Sequence, residues 1–262
     1  MAVITSLQRE HILESVRSMY TDVAQFPDRQ FHFPTGRAAC EFVGYPRAQL
    51  DATPASAVES FAGVGYPFAA DVIREGNVVL DIGSGSGTDV LIASLLVGDF
   101  GKCYALDMTH AMREKLKSNA SKAGRTNIEV LAGEAESIPL PDDCVDVVTS
   151  NGVLNLVPNK KKAFEEVFRI LKPGGRIQIA DIVVSQEISP ACRSNPKLWA
   201  ECIVGAMERE DYLGLFREVG FENVFAIHSL DYFSASNSES TRKVASGLGA
   251  HAIVMKATRG PG

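Results

Sequence analysis

The 262-residue sequence has no C-x-x-C pair, and its five cysteines (Cys40, Cys103, Cys144, Cys192 and Cys202) are odd in number and scattered. That excludes a disulfide framework and reads as reduced thiols of a cytoplasmic protein. Long apolar runs are also missing. The longest, "LIASLLV" at Leu91–Val97, falls far short of the roughly 20 residues that a membrane-spanning helix needs. The stretch from Met1 to Tyr20 carries charges throughout and lacks an apolar h-region, so it does not read as a signal peptide. There is no basic stripe: the net charge is −6 and both signs are mixed along the chain, so neither nucleic acid nor a membrane is an expected partner. His32, His110, His228 and His251 stand isolated, and no metal site is expected. Internal repeats, low-complexity segments and linkers are absent, which predicts one domain.

What is present is an ordinary globular composition, 45% apolar and 22% charged, in a chain long enough to bury a large core. Residues 7–25 place Ile12, Val16, Met19, Tyr20 and Val23 near helical spacing and predict an amphipathic helix. "QFPDRQFHFPTGR" predicts a loop, "AACEFVGY" a short helix stopping near Gly44, and "SFAGVGYPF" a packed loop. From Asn77 the pattern turns regular. The apolar runs "NVVLDIG", "KCYALDMT", "IEVLAG", "VDVVTSN" and "GRIQIADIV" are interleaved with the helical segments "TDVLIASLLVG", "HAMREKLKSNASKAG" and "NKKKAFEEVFRIL". Strands alternating with helices imply right-handed crossovers and a mostly parallel sheet covered on both faces. Further on, "PKLWAECIVGAM" and "REDYLGLFREVG" predict two helices, and "NVFAIHSLDYF" and "AHAIVMKA" predict strands that pair at one antiparallel edge. The expected fold class is α/β: a domain over residues 71–262 with a cap insertion near 185–220, preceded by a helical and loop segment, 1–70, that covers the site.

The stretch "VVLDIGSGSGTDV" carries the first chemical signal. Gly83, Gly85 and Gly87, with Ser84 between the first two, make G-x-G-x-G, one residue shorter than the dinucleotide fingerprint G-x-G-x-x-G. Glycine permits positive φ and close approach of a ligand to the backbone, and the helix that follows offers free N–H groups to an anion. The short spacing favours a carboxylate over a pyrophosphate. Asp81 stands at the strand end, suited to an ammonium group or a water network. Asp107 ends the second strand 20 positions after Gly87, with Met108 beside it, where a carboxylate accepts both ribose hydroxyls. Glu134 and Ala135, in "GEAESIP" after the third strand, are placed to meet an adenine edge. Asn151, at the end of the fourth strand, is placed between cofactor and acceptor. An ammonium, a carboxylate and a ribose without phosphate describe S-adenosyl-L-methionine.

Taken together, "VVLDIGSGSGTDV", "ALDMT", "LAGEAESIPLPDDCVDVVTSNGVLNLV" and "FRILKPGGRIQIADI" resemble a class I S-adenosylmethionine-dependent methyltransferase with its Rossmann-like fold, over roughly residues 70–185. "VESFAGVGYPF", "SNGVLNLVPNKKKAFEEVFRILKPGG" and "NPKLWAECIVGA" extend the resemblance to the arsenite methyltransferase family across most of the chain. That family holds trivalent arsenic with cysteines in "GCG", "SNCV" and "WxEC" elements, soft sulfur suiting a soft centre. Here Val64 and Gly152 stand at the first two positions, and Cys202 remains at the third. The resemblance therefore implies the cofactor and makes Cys202 a candidate for holding or orienting a soft acceptor, with Cys192 as a possible companion. Methyl transfer from a sulfonium needs an aligned nucleophile and no strong base when the acceptor is soft. No convincing base is found; His32, in a loop able to close over the site, is the remaining candidate. The expected activity is methyl transfer to a small soft acceptor: a thiol, hydrosulfide, selenium compound or trivalent arsenic. A small organic oxygen, nitrogen or carbon acceptor is the alternative, and a non-catalytic S-adenosylmethionine-binding protein the remote one.

Overall fold

Val78–Ile82 is a run of apolar residues interrupted by a single acid, and it forms the strand β1, almost wholly buried. A strand covered on both faces reads as such a run because neither side chain direction meets water. In the computed structural model, which describes residues 5–186, 188 and 203–261, β1 lies between β2 (Lys102–Asp107) and β4 (Val145–Asn151), parallel to both. β3 (Ile128–Ala132) pairs outside β2, and β5 (Leu171–Val184) pairs outside β4, again parallel. β8 (His251–Arg259) runs antiparallel to β5, and the edge strand β7 (Phe221–Leu230) antiparallel to β8, as the two late apolar runs predict. The order β3-β2-β1-β4-β5-β8-β7 reverses between β1 and β4. That reversal opens a crevice at the carboxyl ends of the strands, where ligands of such sheets bind.

Helices cover both faces. α5 (Thr88–Val97) is apolar nearly all round and buried except toward its end, at Leu95 and Leu96. It shares one face with α6 (His110–Lys122) and with the N-terminal elements α1 (Ser6–Gln25), α2 (Gly36–Phe42), α3 (Arg47–Asp51) and α4 (Ala55–Val58). The opposite face carries α7 (Lys160–Ile170), whose Ala163, Phe164, Val167 and Ile170 form its buried stripe, and α8 (Arg209–Val219). Phe164 stacks on Phe216 with ring centroids 3.9 Å apart. Asn159 caps α7 by accepting the Lys162 N–H at 3.1 Å.

Several expectations change. α7 stops at Ile170, before Pro173, and "LKPGG" forms the irregular start of β5 opposite a register shift between Val145 and Val147. Of the helix expected over "PKLWAECIVGAM", the part through Cys202 lies outside the described residues. Its remainder is a turn at Ile203–Ala206, then the two-residue strand β6 (Met207–Glu208) beside Val183 and Val184. Within the segment expected as a cap near 185–220, α8 packs on the sheet face through Tyr212 and Phe216. The sequence reading passed over α9 (Glu239–Leu248), which is capped by Ser238 and ends at Gly249 with φ +60. Its only buried side chains are Thr241 and Ala245, too small to produce a visible apolar stripe.

Candidate functional site

A cleft with an empty volume of about 1030 Å³, open mouth included, lies over the carboxyl ends of β1 to β4. The glycine turn forms its floor. Gly83, Gly85 and Gly87 all have positive φ (+71, +52 and +104). A Cβ at Gly83 would lie 2.3 Å from a Val153 methyl, so no side chain fits there. Four of the turn's N–H groups are spent on the protein: those of Gly83 and Ser84 bond Leu106 O, that of Gly85 bonds Asp107 Oδ2 at 2.8 Å, and that of Gly87 bonds Ser84 O. Ser86 and Thr88 hydroxyls anchor the turn to Ala57 O. The glycines thus contribute space, and the unpaired N–H groups come from the first turn of α5.

Three carboxylates converge on this floor. Asp81 is 2% exposed, and its Oδ2 is buried without a hydrogen-bond partner. Burial first, then the charges of Asp89 and Asp107, push its carboxyl well above the usual range. Asp107 accepts the Gly85 and Thr109 N–H groups at 2.8 and 2.7 Å, one on each oxygen. The Thr109 hydroxyl is a further donor to this carboxylate, which still has acceptor capacity for a ribose hydroxyl. Burial raises its pKa, against the pull of the two N–H groups, the Thr109 hydroxyl and the nearby Arg113. No Lys, Arg or His lines the cleft among the described residues. An acidic, water-poor floor without a cation suits a ligand that brings its own positive charge.

Other sequence candidates fall differently. Met108, Ala135 and Glu134 line the cleft. The Glu134 carboxylate, however, is held by Arg9 at 2.6 Å and Arg17 at 3.8 Å, both on α1. Arg9 also bonds Glu136 at 3.0 Å, a side chain only 5% exposed. Glu134 therefore ties α1 to the rim of the cleft, beside Ala135. Leu13, Val16 and Tyr20 of α1 complete that wall. Asn151 borders the cleft with its amide engaged by protein: Oδ1 accepts from Val64 and Gly65 N–H at 2.7 and 3.2 Å, and the two Nδ2 hydrogens are shared among Gly65 O, Tyr45 Oη and Asp89 Oδ2. In this structure its amide holds the Val64–Gly65 backbone, Tyr45 and Asp89 at the edge of the cleft. His32 does not line the cleft. Its Nε2 is buried without a partner, its ring packs edge-on against Phe33, and burial lowers its pKa, which disfavours the charged form. Cys202 and Cys192 lie outside the described residues. Of the described thiols, burial pushes Cys40 up, pushes Cys103 up to about 12 and raises the partly buried Cys144, which disfavours the nucleophilic thiolate in each.

The two positions where the resembled family carries thiols are neighbours here. A Cβ built on Gly152 would lie 3.1 Å from Val64 Cγ1, and Val64 is 1% exposed. Sequence reasoning missed Tyr45, Asp89 and Arg9. Asp89 stood in the quoted glycine motif, but only folding showed that both its oxygens are bonded to protein.

The methyltransferase-domain family model matches residues 73–220, more than half of the chain. The arsenite methyltransferase of Halobacterium salinarum is 35% identical over 190 residues, covering 72% of this chain and 48% of that protein. The ubiquinone/menaquinone biosynthesis C-methyltransferase UbiE of Vibrio campbellii is 38% identical over 112 residues, covering 41% of this chain and 42% of that protein. The chain thus spans about half the length of the curated relatives it matches. Among solved structures, the crystal structure of an arsenic(III) S-adenosylmethionine methyltransferase from Chlamydomonas reinhardtii superposes with a TM-score of 0.66 at 28% identity, covering 87% of this chain and 76% of that one. The glycine cradle without room for a Cβ, the orphaned Asp81 oxygen and the spare lone pairs of Asp107 fit the amino-acid and ribose ends of S-adenosylmethionine, and the chain belongs to the class I S-adenosylmethionine-dependent methyltransferases.

Proposed function

We propose that this chain transfers the methyl group of S-adenosylmethionine to a small soft nucleophile: a thiol, hydrosulfide or selenium compound, or trivalent arsenic. The observation that carries this reading is the engagement of the acids around the cleft. Asp81 and Asp107 face the cofactor end, Glu134 and Glu136 hold Arg9, and Asp89 is bonded to Tyr45 and Asn151. Among the described residues none is left as a general base, so the acceptor has to be nucleophilic without deprotonation by the protein. S-adenosylmethionine supplies an activated methyl group on a sulfonium, balanced here by a floor of carboxylates. The chain's own contribution is to seat that cation at Asp81, hold its ribose at Asp107, and exclude water under α1.

A small organic acceptor is the second reading. It is favoured by Val64 packed toward Gly152, which makes the wall apolar where the resembled family presents sulfur, and by the similarity to a quinone-pathway C-methyltransferase. Labelled S-adenosylmethionine distinguishes them, in reactions with 2-mercaptoethanol alone and with 2-mercaptoethanol plus arsenite. Label in a thioether or in methylated arsenic supports the soft-acceptor reading. No label in either, from protein that binds the cofactor, sinks it in favour of an organic acceptor.

A further inference from the structure

A cofactor held by its ribose at Asp107 on β2 and by its amino-acid end at Asp81 on β1 would turn its reactive end toward the neighbouring β4 and β5. What stands over those two strand ends is the segment Ala62–Gly65. It has no secondary structure of its own and no room to move sideways. A Cβ on Gly63 would lie 2.4 Å from Asn151 Nδ2, and one on Gly65 would lie 2.7 Å from the Ala180 Cβ of β5. Asn151 grips this segment from below at three points, the Val64 N–H, the Gly65 N–H and the Gly65 carbonyl. Asn151 is itself held by Tyr45 and Asp89. Its Nδ2 lies 3.0 Å from Tyr45 Oη and 3.1 Å from Asp89 Oδ2, and the Tyr45 hydroxyl donates to Asp89 Oδ1. The Tyr45 ring is wedged edge-on against Phe61 and Tyr66, which bracket the same segment.

We propose that Tyr45, Asp89 and Asn151 are positioning residues that hold Ala62–Gly65 as the acceptor-facing wall of the cleft, a role that rests on the methyl-transfer reading only for its consequence for catalysis. Their hydrogen bonds end on backbone and on each other, so they act through the wall. The network also contains a proton switch. Asp89 as a carboxylate accepts from both Tyr45 and Asn151; once protonated, it has one good acceptor oxygen left for two donors. Burial raises Asp89 to about 6, against the pull of the Tyr45 and Asn151 hydrogen bonds. The groups whose charges or titration couple to it are Asp81 on β1, Cys40 on α2, and Tyr45 and Tyr66 in the loops that cover it. The wall should therefore be firm above about pH 6 and loosen below it.

The test uses the full chain with Tyr45→Phe, which keeps the ring packing and removes one hydroxyl, and Asp89→Asn, which removes the titration. Amide exchange and pH-dependent amide shifts are read by NMR at Val64 and Gly65, with Gly85 and Thr109 as internal controls. In Tyr45→Phe, exchange at Val64 and Gly65 should accelerate about 10-fold while the controls change less than about 2-fold. The titration midpoint seen at these amides, near 6 in the unaltered chain, should rise in Tyr45→Phe and vanish in Asp89→Asn. With 2-mercaptoethanol as acceptor, KM for the thiol should rise about 5- to 10-fold, with the Kd of S-adenosylhomocysteine within about 2-fold. Equal acceleration at the control amides, an unmoved midpoint in Tyr45→Phe, or a cofactor Kd that rises with KM would each overturn the proposal. If the unaltered chain does not methylate the thiol, the soft-acceptor reading fails, and the exchange and titration results still decide the network.

Discussion

The two ends of the cleft spend their polar groups in opposite ways. At the β1–β2 end, Asp81 has an oxygen without a partner and Asp107 has unused lone pairs, while the glycines remove side chains altogether. At the β4–β5 end, every polar atom of the Asn151 amide is used, both Asp89 oxygens are bonded, and Asp181 is committed to Tyr212, Asn155 and its own neighbour Ile182. Unspent buried polarity costs free energy until a partner arrives, and at Asp81 it opens onto the cleft, where a ligand can supply one. Spent polarity marks where a wall is held. The cofactor end is built to be completed and the acceptor end to be rigid, which fits a polar cofactor and an acceptor recognised by shape and access.

The largest expected effect breaks the open end. Asp107→Ala removes both ribose acceptors and frees the Gly85 and Thr109 N–H groups; cofactor affinity measured by calorimetry should fall about 100-fold. Near-normal affinity would remove Asp107 from the cofactor site.

Next is Gly83→Ala, where a methyl would meet Val153 at 2.3 Å on a backbone with φ +71. Strain and overlap together should cost about 2–3 kcal/mol in urea unfolding, with weakened cofactor binding besides. An unchanged midpoint would mean that Val153 yields freely.

The closed end is sharpened by pH. Burial raises Asp89 to about 6 and Asp181 to about 7, the latter against hydrogen bonds from Tyr212 and from the Ile182 and Asn155 N–H groups. Between the ordinary carboxylate pKa and these values, the folded state binds protons that the unfolded chain does not. Folding stability from these two groups therefore falls as pH rises through 6 and 7 and recovers on acidification. Melting of the cofactor-free chain should show Tm rising by a few degrees from pH 8 to pH 5.5, on the order of 2 kcal/mol. Asp181→Asn should flatten the upper part of that rise; an identical profile would show that Asp181 titrates normally.

The smallest effect belongs to the latch. Arg9→Ala breaks the bonds to Glu134 and Glu136, of which Glu134 is partly exposed and screened by solvent. Cofactor dissociation should accelerate about 3- to 5-fold, more visibly at low salt than at high salt. A salt-independent rate would show that α1 is held by Leu13 and Val16 alone.

The cofactor end was legible because its parts are local. Asp81, the three glycines and α5 occupy one strand–turn–helix, and Asp107 follows at the end of the next strand. The ion pair of Glu134 with Arg9 was not legible, because Arg9 lies 125 residues away in sequence. Tyr45 sits in a loop with no pattern, and it reaches Asp89 across 44 residues. Asn151 was noticed for its position, yet a position at a strand end does not reveal that Val64 and Gly65 engage its amide.

The order of strands and helices, the parallel sheet and the place of the glycine turn follow from the sequence alone, because apolar periodicity and glycine act over neighbouring residues. The tertiary structure decided which polar groups remain free. Hydrogen bonds between side chains and distant backbone satisfy Asn151, Asp89 and Glu134, and leave Asp81 waiting; partners brought together only by folding have no signature in local spacing.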